Sequence, residues 1–239
     1  MTAFRCLVAL LAIGLAATAP VPAATPAPVL TVSSNNTPLD RRALQLLGEE
    51  AFRRAGLALQ LTALPSERSL VAANTGEVDG EGLRIAGLEA RYPNLVRVPE
   101  RLIGISFVAF ARDERITLDN GFASLRPWRV AFIQGWKMYE AEAAGARVVH
   151  RVDQAEQLFR MLDHDRIDLA LYTLADGQAL ARHLGLARVR AIVPSLADAD
   201  MYLYLNRRHE ALVPRLAQAL RDMKSDGTHA RLLAAIGAP

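Results

Sequence analysis

The chain of 239 residues contains a single cysteine, Cys6. One thiol can build neither a disulfide framework nor a cysteine-based metal site. Aromatic residues make up 6% and charged ones 22%, with 28 Lys+Arg against 25 Asp+Glu. A net charge of +3, mixed in sign along the chain, excludes the dense basic surface that nucleic-acid binding requires. No uncharged apolar run reaches the roughly 18–20 residues of a membrane-spanning helix. Also missing are His-Glu-x-x-His, a phosphate-binding loop and Gly-x-Ser-x-Gly, and Gly80–Gly87 does not make a dinucleotide fingerprint. The histidines (His150, His164, His183, His209, His229) are scattered, with no pair at ligand spacing on one helix face. No cofactor, metal or catalytic residue is therefore expected.

What is present is a globular composition, 51% apolar with a mean hydropathy of +0.13. Arg5 followed by the uncharged run Cys6–Ala17, the breakers Pro20 and Pro22, and small residues at Val21-Pro22-Ala23 read as an export signal over residues 1–23. Its removal takes away the only thiol, which suits the oxidising bacterial periplasm.

Beyond this leader, strand-like and helix-like segments alternate, which predicts an α/β fold with mostly parallel sheet. Strands are expected at Val29–Ser33, Leu57–Thr62, Val78–Ile85, Arg129–Ile133, Arg147–Val152 and Ile167–Tyr172. Helices are expected over 41–56, from Pro65 to Asn74, over Trp136–Ala144, over 153–163, and in two final segments, Arg208–Lys224 and Thr228–Ile236. Residues 66–85 and 154–174 repeat one layout: amphipathic helix, polar turn, a β-branched residue before Asp (Val78-Asp79, Ile167-Asp168), then a strand. Two such copies suggest two lobes of similar build, with Asp79 and Asp168 bracing the turns. The apolar Arg101–Arg112 and a second candidate, Val189–Pro194, would cross between them, leaving a ligand cleft at strand carboxyl ends.

This order, with the strings Gly76-Glu77-Val78-Asp79-Gly80, Asp165-Arg166-Ile167-Asp168 and His209-Glu210-Ala211-Leu212-Val213 … Met223-Lys224-Ser225-Asp226-Gly227, resembles the type II periplasmic solute-binding proteins that serve amino-acid ABC transporters. The resemblance covers about residues 28–237. It implies two similar α/β lobes on a two-strand hinge, residues 24–108 plus 195–239 forming one and 109–194 the other. It further implies a monomeric periplasmic binder that passes a small solute to an inner-membrane ABC permease. The family's Thr-x-x-Arg falls on Leu88 and Arg91, and the acidic residue that holds a ligand ammonium falls on Thr173, with Tyr172 before it. The fold carries over, whereas the α-amino-acid site does not.

The remaining candidates suit an anionic solute, amino-acid-like or an organic acid. Arg84, near the carboxyl end of a strand, offers a bidentate guanidinium, or else pairs with a glutamate. Gly135, Trp136 and Lys137 open a helix after a strand, combining free amides, a cation and an aromatic wall. Ser66 and Arg68 open the first-lobe helix, and Asn36 beside Asn35 follows the first strand. Arg84→Ala is expected to abolish binding with little change in melting temperature. Two other roles stay open: a binder serving a sensory partner, and a cleft enzyme such as a cyclic-acid dehydratase, with Glu81 as its acid or base.

Overall fold

The computed structural model describes residues 26–34 and 37–236, so the expected export signal and Asn35–Asn36 lie outside the described residues. In β1 (Val29–Ser34), Leu30 and Val32 are buried. Next come α1 (Pro38–Ala43) and α2 (Glu49–Arg54), joined through a π-helical turn at Leu44–Gly48. Leu44, Leu47, Ala51 and Phe52 are buried along this stretch, the apolar face that their helical spacing predicts. β2 (Ala58–Ala63) lies parallel to one side of β1. After α3 (Ser66–Thr75), β3 (Gly80–Arg84) lies parallel to the other side. β4 (Leu95–Arg97) and β5 (Ile103–Ala111) then lead out of the first lobe.

The second lobe repeats the plan. β6 (Arg129–Ile133), α4 (Lys137–Glu142), β7 (Val148–Val152), α5 (Ala155–Asp163) and β8 (Leu169–Thr173) place β7 and β8 parallel to either side of β6. Then follow α6 (Leu174–His183), the short β9 (Arg190–Ala191), β10 (Ala197–Asn206), α7 (Val213–Ser225) and α8 (Thr228–Ile236). Sheet order is β2-β1-β3-β10-β5-β8-β6-β7, with β4 on β10 and β9 on β5.

The internal echo is a repeated set of hydrogen bonds. Asp79 donates its backbone N–H to Thr31 O at 2.8 Å and accepts the Thr31 N–H on Oδ2 at 2.8 Å. Asp168 does the same with Arg129, at 2.8 and 2.8 Å. Each carboxylate thus pins the start of its strand to the neighbouring parallel strand. Further side chains reinforce both: the Arg208 guanidinium and the His209 imidazole reach Asp79, while Arg129 and Arg147 reach Asp168. Both carboxyls titrate below their ordinary range. For Asp168 the Arg129 hydrogen bond is the main cause; for Asp79 burial pushes upward and the Thr31, Arg208 and His209 bonds outweigh it.

Two strands join the halves. β5 pairs with β10 along Ile103–Phe107 and with β8 along Phe107–Phe110. β10 pairs with β5 through Met201 and with β3 from Tyr202 onward. The return crossing therefore lies at Ala197–Asn206 rather than at Val189–Pro194, where only β9 pairs with β5. Asp198 and Asp200 interrupt the apolar signal of this strand, alternating with Ala197 and Ala199.

Candidate functional site

A cavity of about 460 Å³ opens where the strands of both lobes end. Thr37 and Pro38 after β1, and Pro65 and Ser66 after β2, line it from the first lobe. Ile133 and Trp136 after β6, Asp153–Glu156 after β7, and Tyr172 and Asp176 around the end of β8 line it from the second. This is where an α/β sheet offers helix starts and loops to a ligand. A hinge-side pocket of about 30 Å³, lined mainly by apolar groups such as Leu83, Ile105, Phe107 and Met201, lies behind it. Trp136 borders both spaces.

The lobes touch each other directly across the cleft. Ser66 Oγ donates to Gly135 O at 3.3 Å. Gly135 has φ +84°, and a Cβ there would lie 2.5 Å from the Glu67 backbone nitrogen, so only glycine permits this approach. Lys137 Nζ is ion-paired with Glu67 of the first lobe and with Glu140 at 2.9 Å. Glu67 also accepts from Tyr92 Oη at 2.9 Å, and Glu140 accepts the Gly135 N–H at 2.9 Å. Burial pushes the two carboxyls up and the ammonium down, but the mutual bonds outweigh it; Glu67 and Glu140 titrate low and Lys137 high. The expected anion seat at Gly135–Lys137 is thus filled by the protein's own carboxylates.

Arg84 is similarly committed. Its Nε donates to Glu81 Oε1 at 2.6 Å, and its terminal nitrogens donate to Ser66 Oγ at 2.7 Å and Ser66 O at 2.8 Å. Residues three apart in a regular strand point to opposite faces. Here Leu83 takes φ +59°, and the pairing of β3 with β10 slips: Glu81 faces Tyr204, yet Arg84 faces Tyr202. The bulge turns both side chains to one side. Glu81 is fully buried, accepts from Ser33 Oγ at 2.5 Å and from Ser69 Oγ, and lines neither cavity. Burial raises its pKa against the pull of Arg84 and the two serines. The Arg84 guanidinium borders only the hinge-side pocket, where it ties β3 to the start of α3. Its alternative role, pairing with a glutamate, is the arrangement observed, although the pair is buried and not at the surface.

Trp136 lies nearly parallel to Tyr172, with centroids 4.9 Å apart at 13°, and to Tyr139, at 6.0 Å and 9°. Phe107 of the hinge strand meets both Trp136 and Tyr139 edge-on. This stack joins β8, α4 and β5 into one wall of the cleft. Tyr139 Oη donates to Val108 O and Tyr172 O, which fixes its ring.

Cavity and cross-cleft contacts thus unite Ser66, Gly135, Trp136, Lys137 and Tyr172; Thr173 borders the hinge-side pocket with Arg84. Arg68 is exposed on α3, and Arg91 is exposed beside Tyr92; neither lines either space. Asn36 lies outside the described residues. Sequence reasoning missed Asp176, which is 4% exposed in the first turn of α6 and accepts from Thr173 Oγ1 at 3.2 Å. The signal was a threonine N-cap with an acid three residues on. It needed α6 itself to be recognised.

No family model matches the chain. A Shewanella oneidensis protein described as uncharacterized is 25% identical over 200 residues, covering 78% of this chain and 73% of its own. Solved structures establish the fold. A histidine kinase sensor domain with similarity to periplasmic binding proteins superposes with a TM-score of 0.76 at 17% identity, over 88% of this chain and 96% of that one. An ancestral arginine-binding protein bound to glutamine gives 0.70 at 15%, over 85% and 95%. An amino-acid ABC transporter substrate-binding protein from Streptococcus pneumoniae, bound to L-arginine, gives 0.69 at 10%, over 87% and 94%. The chain has the type II periplasmic-binding-protein fold.

Proposed function

We propose that the protein is a solute-binding protein whose two lobes close on a small polar solute, and that it acts by binding and not by catalysis. The reading rests on one observation above all: a ligand-sized cavity lined by strand ends of both lobes, so that a solute seated there favours the closed state over the open one. The lobes are residues 24–108 plus 195–239 and residues 109–194, moving about β5 and β10. Residues 1–23 direct export to the periplasm, and the closed monomer delivers its solute to an inner-membrane ABC permease. The substrate-binding neighbours support that delivery by likeness of fold. The sensor-domain neighbour supports a second role, presentation of the closed form to a signalling partner. Glu81, walled off among Ser33, Ser69 and Arg84, gives no support to a cleft enzyme.

Thermal-shift screening of the purified protein against amino acids, amines, organic acids and sugars tests the reading, because a ligand of the folded state raises its apparent stability. At least one saturable stabilisation that Gly135→Ala weakens is expected. No stabilisation by any small solute would defeat the proposal.

A further inference from the structure

The charge of the cleft narrows the solute class. Asp153, Glu156 and Asp176 line the large cavity, and no lysine or arginine does so among the described residues. Arg84, which reaches the lining residue Ser66, and Lys137, next to the lining residue Trp136, are both committed. Arg84 spends its donors on Glu81 and Ser66, and Lys137 is bracketed by Glu67 and Glu140. Arg41 and Arg42 line a separate groove on α1 that meets the cavity only at Pro38. A solute carboxylate entering here would lose its water and meet three carboxylates, with the His183 imidazole on α6 as the one described lining side chain able to take a positive charge, outnumbered three to one.

The same lining favours a positive group. Asp176 is buried, so a cation bound beside it is screened little by solvent and its hydrogen bond is charge-assisted. Trp136 and Tyr172, stacked on each other, form the adjoining wall and give an apolar surface for the methylene stem of such a cation. Asp153 and Glu156, both exposed, place negative charge at the start of α5. Together these groups match an extended cation: one end at the buried carboxylate, the other toward Asp153 and Glu156.

We propose that the cleft takes a small organic cation that carries no carboxylate, an amine or guanidine of a few carbons. This rests on the solute-binding reading above and sharpens it, for it sets the chain apart from binders of whole amino acids. The test compares pairs that differ by one carboxylate: agmatine against arginine, and cadaverine against lysine, by isothermal titration calorimetry on the purified protein. The decarboxylated member of at least one pair is expected to bind at least tenfold more tightly than its parent. Asp176→Asn should weaken that binding tenfold or more, while Arg41→Gln should leave it within twofold. Equal or tighter binding of the amino acids overturns the proposal. So does binding of neither amine, whether or not another class of solute closes the lobes; a saturable response to an organic acid or sugar in the thermal screen would then preserve the solute-binding reading alone.

Discussion

Lys137→Met tests how the closed form is held. Lys137 is the cation of a cross-cleft triad, with its side chain 11% exposed, against 32% for Glu67 and 20% for Glu140. Exposed ion pairs contribute about 0–1 kcal/mol, and hydrogen bonds to charged groups about 1.5–3 kcal/mol. A partly buried pair spanning two lobes falls between these ranges, at about 1–2 kcal/mol, or roughly a 5–30-fold change in the closed-to-open ratio. Methionine keeps most of the apolar stem, so packing against the cleft wall is little altered. Removing the charge also leaves Glu67 and Glu140 near each other without their shared counter-ion. Spin labels at Glu77→Cys and Gln157→Cys, one exposed position in each lobe, would report the ratio as a distance distribution in a Cys6→Ser background. The ratio of long- to short-distance populations should grow by that factor in Lys137→Met. A distribution identical to that of the parent would refute the idea that this triad holds the lobes together.

Arg84→Met should cost about 3–5 kcal/mol of unfolding free energy by urea titration, because it strands the buried Glu81 carboxylate. This replaces the sequence-based expectation that Arg84→Ala leaves the melting temperature within a few degrees, and a loss under 1 kcal/mol would contradict it. Gly135→Ala should cost about 1–3 kcal/mol through its left-handed φ and should shift the label distances toward the open form, since the added Cβ meets the Glu67 backbone. The triad also has a pH window. Glu67 and Glu140 titrate low, so their stabilisation is present above the ordinary glutamate pKa and fades as pH falls through the folded values. Lys137 titrates high, so its share is present below the ordinary lysine pKa and fades as pH rises through the folded value. Label distances should therefore stay closed between roughly pH 4.3 and 10.4, and opening near pH 7 would be inconsistent with that window.

Much of the scaffold was legible because its signals are local. The Val-Asp and Ile-Asp turns marked the repeated helix–turn–strand unit, and the paired bonds of Asp79 and Asp168 show why an acid stands at each. The terminal α7 and α8 followed from apolar spacing and the break at Gly227. Features set by distant partners were not legible. β10 is recognised by its neighbours β3, β4 and β5 and hides behind Asp198 and Asp200. α6 went unread, and Asp176 with it. The roles of the cations depended on three-dimensional pairing as well. Arg84 and Lys137 read as ligand groups until a bulge at Leu83 brought Glu81 to the first, and the approach of α3 brought Glu67 to the second.

A small solute held between the lobes is expected to sit against Trp136. Only two tryptophans occur, at positions 128 and 136, so Trp128→Phe leaves Trp136, which borders the cavity, as the single tryptophan for selective excitation. Titrating this variant with agmatine and cadaverine, and with every solute that stabilises the protein to heat, should give a saturable change in Trp136 emission for at least one of them, and Gly135→Ala should weaken it. A solute that stabilises the protein with saturation yet leaves Trp136 emission unchanged would place binding outside the cleft and contradict closure of the lobes on it.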